Sequence, residues 1–511
     1  MPSPVRLPVL PSAPRAPARA RDFLHEDHEK KEKCGVFAVW GQGEKTGPAG
    51  RGGDGAAVVY MGLFAQQHRG QEAAGIAVTD ARTLQGVTGQ GLVADALSAP
   101  VLASLEERPI LGAVGHTRYS TAGGSLACNA QPLVESYIGG QVAVAHNGNL
   151  VNARALRRKF EEAGHLFHTT SDTEVVVHLL ASPEQQRSVD PLAATLRHLQ
   201  GAFSLVFLFP DRIEAARDPW GWRPLVLGRL ADGRAVIASE TVALQVVGAA
   251  LVREVEPGEI VTLSDGGVSS RRFADPAPAL AQCVFEHVYF AHPASAVFGR
   301  NVQIVREALG ERLAREAPVE ADFVMPMPDS GRSAAIGYAR ASGIGYREGI
   351  VPNRYVGRTF IKPTQAQRAA AVRLKLNVVG EIVRGRRVVV VDDSIVRGTT
   401  TRAKIEQLRE AGAREIHLRI SCPPIRHPCY FGVDFATREQ LIAHDRTIDQ
   451  IRAYLGVDTL HYLSLEGTLA CVGLPARDCC TACWSGDYRI DLEHPLTEDE
   501  VAEKRQLRMF T

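Results

Sequence analysis

The sequence predicts two α/β domains in tandem: a mixed αβ layered half built on antiparallel strands, then a doubly wound parallel sheet. Three observations predict it. The chain has 511 residues, too many for one hydrophobic core. From Cys34 to about Val268, short β-branched runs alternate with Gly-rich turns, the signature of strands joined by tight connections. Beyond a Pro/Ala-rich seam, FADPAPALAQ at 273–282, strand and helix patterns alternate, and one strand is a continuous VVVV, as expected where both faces are buried.

Taken in order, residues 1–33 are rich in Pro, Ala and Arg and then in mixed charge. They lack the apolar stretch of a secretory signal, and the prolines oppose the amphipathic helix of a transit peptide, so this segment reads as a disordered leader or a start codon placed too early, a leader that is removed being the preferred reading. Strand patterns follow in CGVFAVW, QVAVAHNG, FSLVFLF and GEIVTL, with a helical stretch from Asp172 to Leu180. After the seam, Val302, Val305, Leu309 and Leu313 recur at helical spacing. The strand DFVMPMP comes next, then a helix from about Arg332, the strand RRVVVVDD, the helix TRAKIEQLREAGA and the strand EIHLRIS. The expected domains are 34–275 and 283–470, with a C-terminal segment at 471–511.

Charge and cysteine usage limit the function classes. The net charge is +1, which offers no global field for nucleic acid or an anionic membrane, and no apolar run is long enough to span a bilayer. Nine cysteines scattered over 511 residues are not a small disulfide scaffold. Without a secretory signal, a cytoplasmic location is expected, and clustered cysteines then point to metal or catalysis.

Cys34 opens CGVFAVWG, followed by QHRGQEAAG (67–75), GHTRYST (115–121), HNGNL (146–150) and TSDTE (170–174). Singly each is weak, since Asn-Gly usually marks a turn and a lone Cys before a strand usually fills core. Together and in this order they resemble the glutaminase domain of class II amidotransferases, members of the αββα N-terminal-nucleophile hydrolases. The resemblance implies that Cys34 is the nucleophile toward the glutamine amide and that its own α-amine is the base. It implies an oxyanion hole at the Asn147 side chain and the Gly148 N–H. It also implies that Arg118 holds the substrate carboxylate and Asp172 its ammonium. Such a mechanism requires cleavage between Lys33 and Cys34, because an amide nitrogen is not a base; some members of the family carry such a propeptide.

VVVVDDSIVRGTT at 388–400 is the most specific signal. A buried strand ends in two acids, and a Gly/Thr loop opens a helix. Ligands of open α/β sheets bind at such strand ends, and a helix N-terminus favours phosphate. The run resembles the phosphoribosyl pyrophosphate signature of type I phosphoribosyltransferases. That implies Asp392 and Asp393 on the ribose hydroxyls and a Mg²⁺ sphere, and Ser394, Arg397, Gly398, Thr399 and Thr400 around the 5-phosphate. The loop MPMPDSG at 325–331 resembles the pyrophosphate side, with Ser330 a further contact in the Mg²⁺ sphere. The polar, cationic segment at 353–368 resembles the family's lid.

A class II glutaminase joined to this phosphoribosyltransferase resembles the amidophosphoribosyltransferase family from Cys34 onward. The family implies one Mg²⁺ per subunit, the first committed step of purine synthesis, a homotetramer and feedback inhibition by purine nucleotides. Cys283, Cys429, Cys480 and Cys483 align with its branch that binds one [4Fe-4S] cluster per subunit, although four thiolates also suit zinc. Cys128, Cys422, Cys471 and Cys479 fall outside the motif and read as packing or surface residues. One departure is FAHPAS at 290–295, where the family commonly has FARPDS; it puts nearby loop or subunit contacts in doubt. Three rivals fit less well. An amidotransferase with sugar-isomerase domains would lack VVVVDDSIVRGTT. A regulatory phosphoribosyltransferase that binds DNA would show a winged-helix module and a basic face. A cluster-bearing electron carrier leaves both motif sets unexplained.

Overall fold

A computed structural model describes residues 34–43, 53–119, 126–353, 376–433 and 437–492. The leader, Ser120 and Thr121 of GHTRYST, and the lid segment after Asn353 lie outside the described residues.

Among the described residues, thirteen strands build the first half: β1 (Gly35–Trp40), β2 (Ala73–Thr79), β3 (Leu84–Gln90), β4 (Gly112–Arg118), β5 (Leu133–Tyr137), β6 (Gly140–Leu150), β7 (Gly201–Leu208), β8 (Arg212–Arg217), β9 (Val226–Arg229), β10 (Ala235–Ala238), β11 (Ala250–Glu254), β12 (Glu259–Ser264) and β13 (Gly267–Arg272). They form two sheets, ordered β11-β9-β10-β1-β4-β2-β3 and β13-β12-β8-β7-β6-β5. The pairings are antiparallel throughout.

Strand periodicity sets the layers. Val36, Ala38 and Trp40 of β1 face Ala143, Ala145, Val206 and Leu208 of the second sheet. The intervening Phe37 and Val39 pack on Val59 and Leu63 of the helix Gly55–Ala65. On the far side, Val142, Val144, Phe203 and Leu205 meet Val175, Val176 and Leu179 of the helix Asp172–Ala181. Helix, sheet, sheet and helix therefore stack as αββα. Because both faces of β1 are covered, GVFAVW is apolar throughout rather than alternating.

The second half begins with β14 (Gln282–Cys283), followed by the short pair β15 (Ala296–Val297) and β16 (Arg300–Asn301). Next come the helix Val302–Glu316, β17 (Phe323–Pro326), the helix Arg332–Ser342, and β18 (Ile350–Pro352) paired with β19 (Leu376–Val378). Then follow β20 (Arg387–Asp392), the helix Thr399–Glu410, β21 (Glu415–Ile420), β22 (Thr459–Tyr462) and β23 (Cys479–Cys480). The sheet β17-β20-β21-β22 is wholly parallel. Val388 to Val391 are all inaccessible, as a parallel strand covered on both faces requires. Trp222 of the first half stacks on Phe431 of the second, ring centroids 4.3 Å apart, inside a buried patch with Ala202, Ala281, Cys480 and Ala482.

Candidate functional site

In the first half, antiparallel pairing gathers residues far apart in sequence. Gly35 pairs with Thr117, so the residue before β1 meets the residues that end β4. Cys34 Sγ lies 3.5 Å from the Tyr119 carbonyl oxygen. The charges of Arg118 and Asp172 both act on the Cys34 thiol, so Cys34, Arg118 and Asp172 share one site. Ser239 Oγ accepts from Val36 N–H at 3.0 Å and from Asn147 Nδ2 at 3.3 Å, fastening Asn147 beside β1.

Gly148 is placed by the register of β6. β5 pairs with β6 only as far as Leu133–Val144, so among the described residues no strand pairs with the edge beyond. Alternate backbone N–H groups of a strand point to the same edge. The His146 N–H is taken there by Gln131 Oε1 at 2.8 Å, and the Leu150 N–H by Asp172 Oδ2 at 2.9 Å. Gly148 lies midway between them. Its opposite number, Phe203, spends both backbone groups on Asp218, at 3.0 and 3.1 Å. The Gly148 N–H therefore faces that edge, next to Asn147 and Asp172. A Cβ here would stand 2.0 Å from the Ala202 carbonyl oxygen, so only glycine fits. The Asn-Gly pair, ordinarily a turn, lies within a continuous strand.

Burial, opposed in part by a hydrogen bond with the Tyr119 backbone and by Arg118, pushes the Cys34 thiol above its ordinary value. Burial also drives Asp172 upward, but His146 and the Leu150 N–H outweigh it and hold the carboxyl below its usual range. Burial lowers His116 to about 3, so this imidazole, 3.0 Å from the His146 carbonyl oxygen, is neutral.

Sequence reasoning missed the ion network behind Cys34. Arg69, inside QHRGQEAAG, donates from Nε to the Cys34 carbonyl oxygen at 3.2 Å. Its other nitrogens reach Glu240 and Glu286, the latter at 2.9 Å, and Glu286 also receives Arg223 at 3.2 Å. The side chains of Arg69, Glu240, Glu286 and Arg223 are fully buried. The FAHPAS loop is tied to the same network. Glu240 accepts from the His292 backbone N–H at 2.9 Å and from Ser295 Oγ at 2.6 Å.

In the second half, Asp392 and Asp393 close the buried end of β20 and are almost inaccessible. Ser330 Oγ donates to Asp393 Oδ1 at 2.8 Å and Ser394 Oγ to Asp393 Oδ2 at 2.6 Å. Ser330 and Asp393 therefore meet, although 63 residues separate them, because Pro326 and Val391 are paired neighbours on β17 and β20. The loop through Arg397 ends at Gly398, which caps the helix of Thr399 and Thr400. The hard oxygens of Ser330, Asp392 and Asp393 are of the kind Mg²⁺ takes.

Cys283 pairs with Cys480 across β14 and β23. The thiols of Cys429 and Cys283 act electrostatically on Cys480 and Cys483, and burial raises all four. The four thiols thus lie in one neighbourhood, three of them buried and Cys429 half-buried, and soft thiolates are the donors that a metal centre of this kind takes. Cys422 and Cys479 are buried nearby, Cys471 is half-buried and Cys128 exposed. Among the described residues no three His, Cys, Asp or Glu side chains stand in single-ion geometry. No helix of the described residues is long and apolar enough to cross a membrane.

Comparison with known proteins agrees with both halves. A glutamine amidotransferase domain model matches residues 116–246. The amidophosphoribosyltransferase of Methanothermobacter thermautotrophicus is 45% identical over 478 residues, covering 93% of this chain and 98% of that protein. That of Bacillus subtilis is 46% identical over 486 residues, covering 94% and 99%. A solved structure of a B. subtilis glutamine phosphoribosylpyrophosphate amidotransferase complexed with ADP and GMP superposes with a TM-score of 0.82 at 44% identity, covering 92% of this chain and all of that one. The chain belongs to the amidophosphoribosyltransferase family, glutamine-dependent pentosyltransferases that carry out the first step of purine biosynthesis.

Proposed function

We propose that Cys34 attacks the side-chain carbon of glutamine, with Asn147 and the Gly148 N–H receiving the developing oxyanion. Arg118 and Asp172 hold the substrate's α-carboxylate and α-ammonium. Ammonia leaves, and water cleaves the thioester to glutamate. The carrying observation is the edge of β6 at Gly148, which lies between two flanking N–H groups already bonded, one of them to Asp172. Burial that raises the thiol favours a mechanism with an adjacent base. A free α-amine, with an ordinary pKa of about 8, is suited to that part. The active form then begins at Cys34, and N-terminal mass spectrometry of an active preparation starting at Met1 would overturn this.

The released ammonia displaces pyrophosphate from C1 of phosphoribosyl pyrophosphate to give 5-phosphoribosylamine. Asp392 and Asp393 hold the ribose, and Ser394, Arg397, Gly398, Thr399 and Thr400 the 5-phosphate. Ser330, Asp392 and Asp393 would hold Mg²⁺, which when bound neutralises phosphate charge. Cys283, Cys429, Cys480 and Cys483 would hold the [4Fe-4S] cluster, which when bound fastens β14 and β23 together. We further propose a cytoplasmic homotetramer inhibited by purine nucleotides; gel filtration and inhibition by GMP and ADP test this, and a monomer or nucleotide-insensitive turnover would refute it.

The test of the division of labour is Cys34→Ala. It should abolish synthesis from glutamine and spare synthesis from free ammonia. Equal loss of both would sink it.

A further inference from the structure

We propose that Asn149 and Gly432 are positioning residues for the glutaminase, and that the second half of the chain thereby forms the back wall of the oxyanion hole. The inference rests on the role given above to Asn147 and Gly148.

The Gly148–Asn149 peptide is held from outside its own sheet. Asn149 Nδ2 donates to the Tyr430 carbonyl oxygen at 2.8 Å, across 281 residues. A Cβ built on Gly432 would lie 3.2 Å from Gly148 C and 3.3 Å from Gly148 O. The backbone of residue 432 therefore rests directly on the residue whose N–H serves as donor. Gly432 has φ +104, a conformation that L side chains avoid. Arg223 fixes the intervening residue through Nε to the Phe431 carbonyl oxygen at 2.9 Å, and Trp222 stacks on the Phe431 ring.

None of these groups touches the thiol, so their effect passes through the direction of the Gly148 N–H. On the side that β5 has already left, no strand of the described residues holds the Gly148 backbone, since Phe203 turns its own groups to Asp218. The contacts from 430–432 supply the missing constraint. They aim a donor whose full removal costs on the order of 10²–10³ in turnover.

The experiment compares Asn149→Ala, Gly432→Ala and Asn147→Ala in the full chain. Asn149→Ala and Gly432→Ala should lower kcat for glutamine roughly ten- to a hundredfold, with KM changed by less than about threefold. Turnover of phosphoribosyl pyrophosphate with free ammonia should stay within about twofold of the parent. Glutamine binding by calorimetry in the Cys34→Ala background should also be unchanged. A kcat equal to the parent's in Asn149→Ala overturns the proposal. So does a parallel loss of glutamine affinity or of ammonia-dependent turnover, which would mark a merely structural role. If Gly432→Ala fails to fold, Asn149→Ala, which only removes atoms, carries the test. An undiminished kcat in Asn147→Ala would instead overturn the oxyanion-hole assignment beneath it.

Discussion

Glu240→Gln should weaken both the fold and the glutamine chemistry. The glutamate receives Arg69 and Ser295 Oγ at 2.6 Å from within the core, and the half-buried His68 Nε2 at 2.8 Å and His292 N–H at 2.9 Å. The substitution keeps the volume but removes the charge and turns an N–H₂ toward groups that are themselves donors. A contact ion pair in an effective dielectric of about 20 is worth about 5 kcal/mol before desolvation. Arg69 remains buried after the change, so its desolvation is not recovered, and breaking one side of such a pair costs about 3–5 kcal/mol. That is a large part of the roughly 5–15 kcal/mol that holds a typical protein folded. Arg69 also holds the Cys34 carbonyl, so its relaxation should reach the nucleophile.

The assay is urea unfolding at neutral pH, with turnover measured on glutamine and on ammonia. The midpoint should fall, and glutamine-dependent turnover should fall further than ammonia-dependent turnover. Removing Arg69 as well, in Arg69→Met with Glu240→Gln, should cost less than the two single changes added together. Burial raises the Glu240 carboxyl, but His68 and Arg69 outweigh it and hold it far below its ordinary value. A depressed pKa contributes stability above the unfolded value that is lost on acidification. The parent should therefore lose stability as pH falls below about 4.5, and the variant less so. An unchanged midpoint together with parental glutamine kinetics would refute the reasoning.

Further outcomes follow from the same geometry. Asp393→Asn should impair turnover with glutamine and with ammonia alike, since it removes the carboxylate that Ser330 and Ser394 both address; surviving ammonia-dependent turnover would place the phosphoribosyl site elsewhere. Protein prepared without oxygen should contain iron and sulfide in a ratio near one, and Cys283→Ser, Cys429→Ser, Cys480→Ser or Cys483→Ser should abolish it whereas Cys479→Ser should not; stoichiometric zinc without iron would refute the cluster. Glu174 accepts from His168 N–H, Thr169 N–H and Thr169 Oγ. Burial raises its carboxyl, but His178 and these bonds bring it down to about 2, so its contribution should be lost as pH falls from about 4.5 toward 2. Glu174→Gln should flatten thermal stability across that window, and an unaltered pH profile would count against it.

What the sequence made legible follows from how each sheet assembles its site. In a parallel sheet ligands gather at strand carboxyl ends, so Asp392 to Thr400 are contiguous and read as one motif. Only Ser330 comes from elsewhere, and it comes from the neighbouring strand. In the antiparallel half the same end of the sheets collects the start of β1, the end of β4 and the end of β6. Cys34, Arg118 and Gly148 are therefore scattered, and the family resemblance had to supply their grouping. The order of the αββα layers was supplied by the family resemblance: an all-apolar GVFAVW says that both faces of its strand are covered, not by what. The Arg69 network was not legible. Its partners lie 171 and 217 residues away, and nothing local distinguishes a buried arginine from a solvated one. The Gly148 N–H was assignable only by resemblance, because its availability depends on where β5 stops.

The two halves differ in what each needs from the other, and a fragment tests the difference. The three apolar clusters that stack the αββα layers draw only on residues 36–274. A fragment of residues 34–275 should therefore fold, with the cooperative unfolding and dispersed amide spectrum of a packed core. Its active site, however, would lose everything the second half lends. Glu286 would no longer balance Arg69 and Arg223, the Phe431 carbonyl would leave Arg223, and the Tyr430 carbonyl would leave Asn149. Arg69 would keep Glu240, so the Cys34 carbonyl would be held by a guanidinium anchored on one side rather than two. The expected product is a folded domain that binds glutamine but turns it over at least roughly tenfold more slowly than the whole chain, since a donor out of place costs turnover before it costs binding. A folded fragment with the full chain's kcat would show that the glutaminase aims its own donor. An unfolded fragment would show that the interface of Trp222, Phe431 and Cys480 belongs to the core rather than lying between two cores.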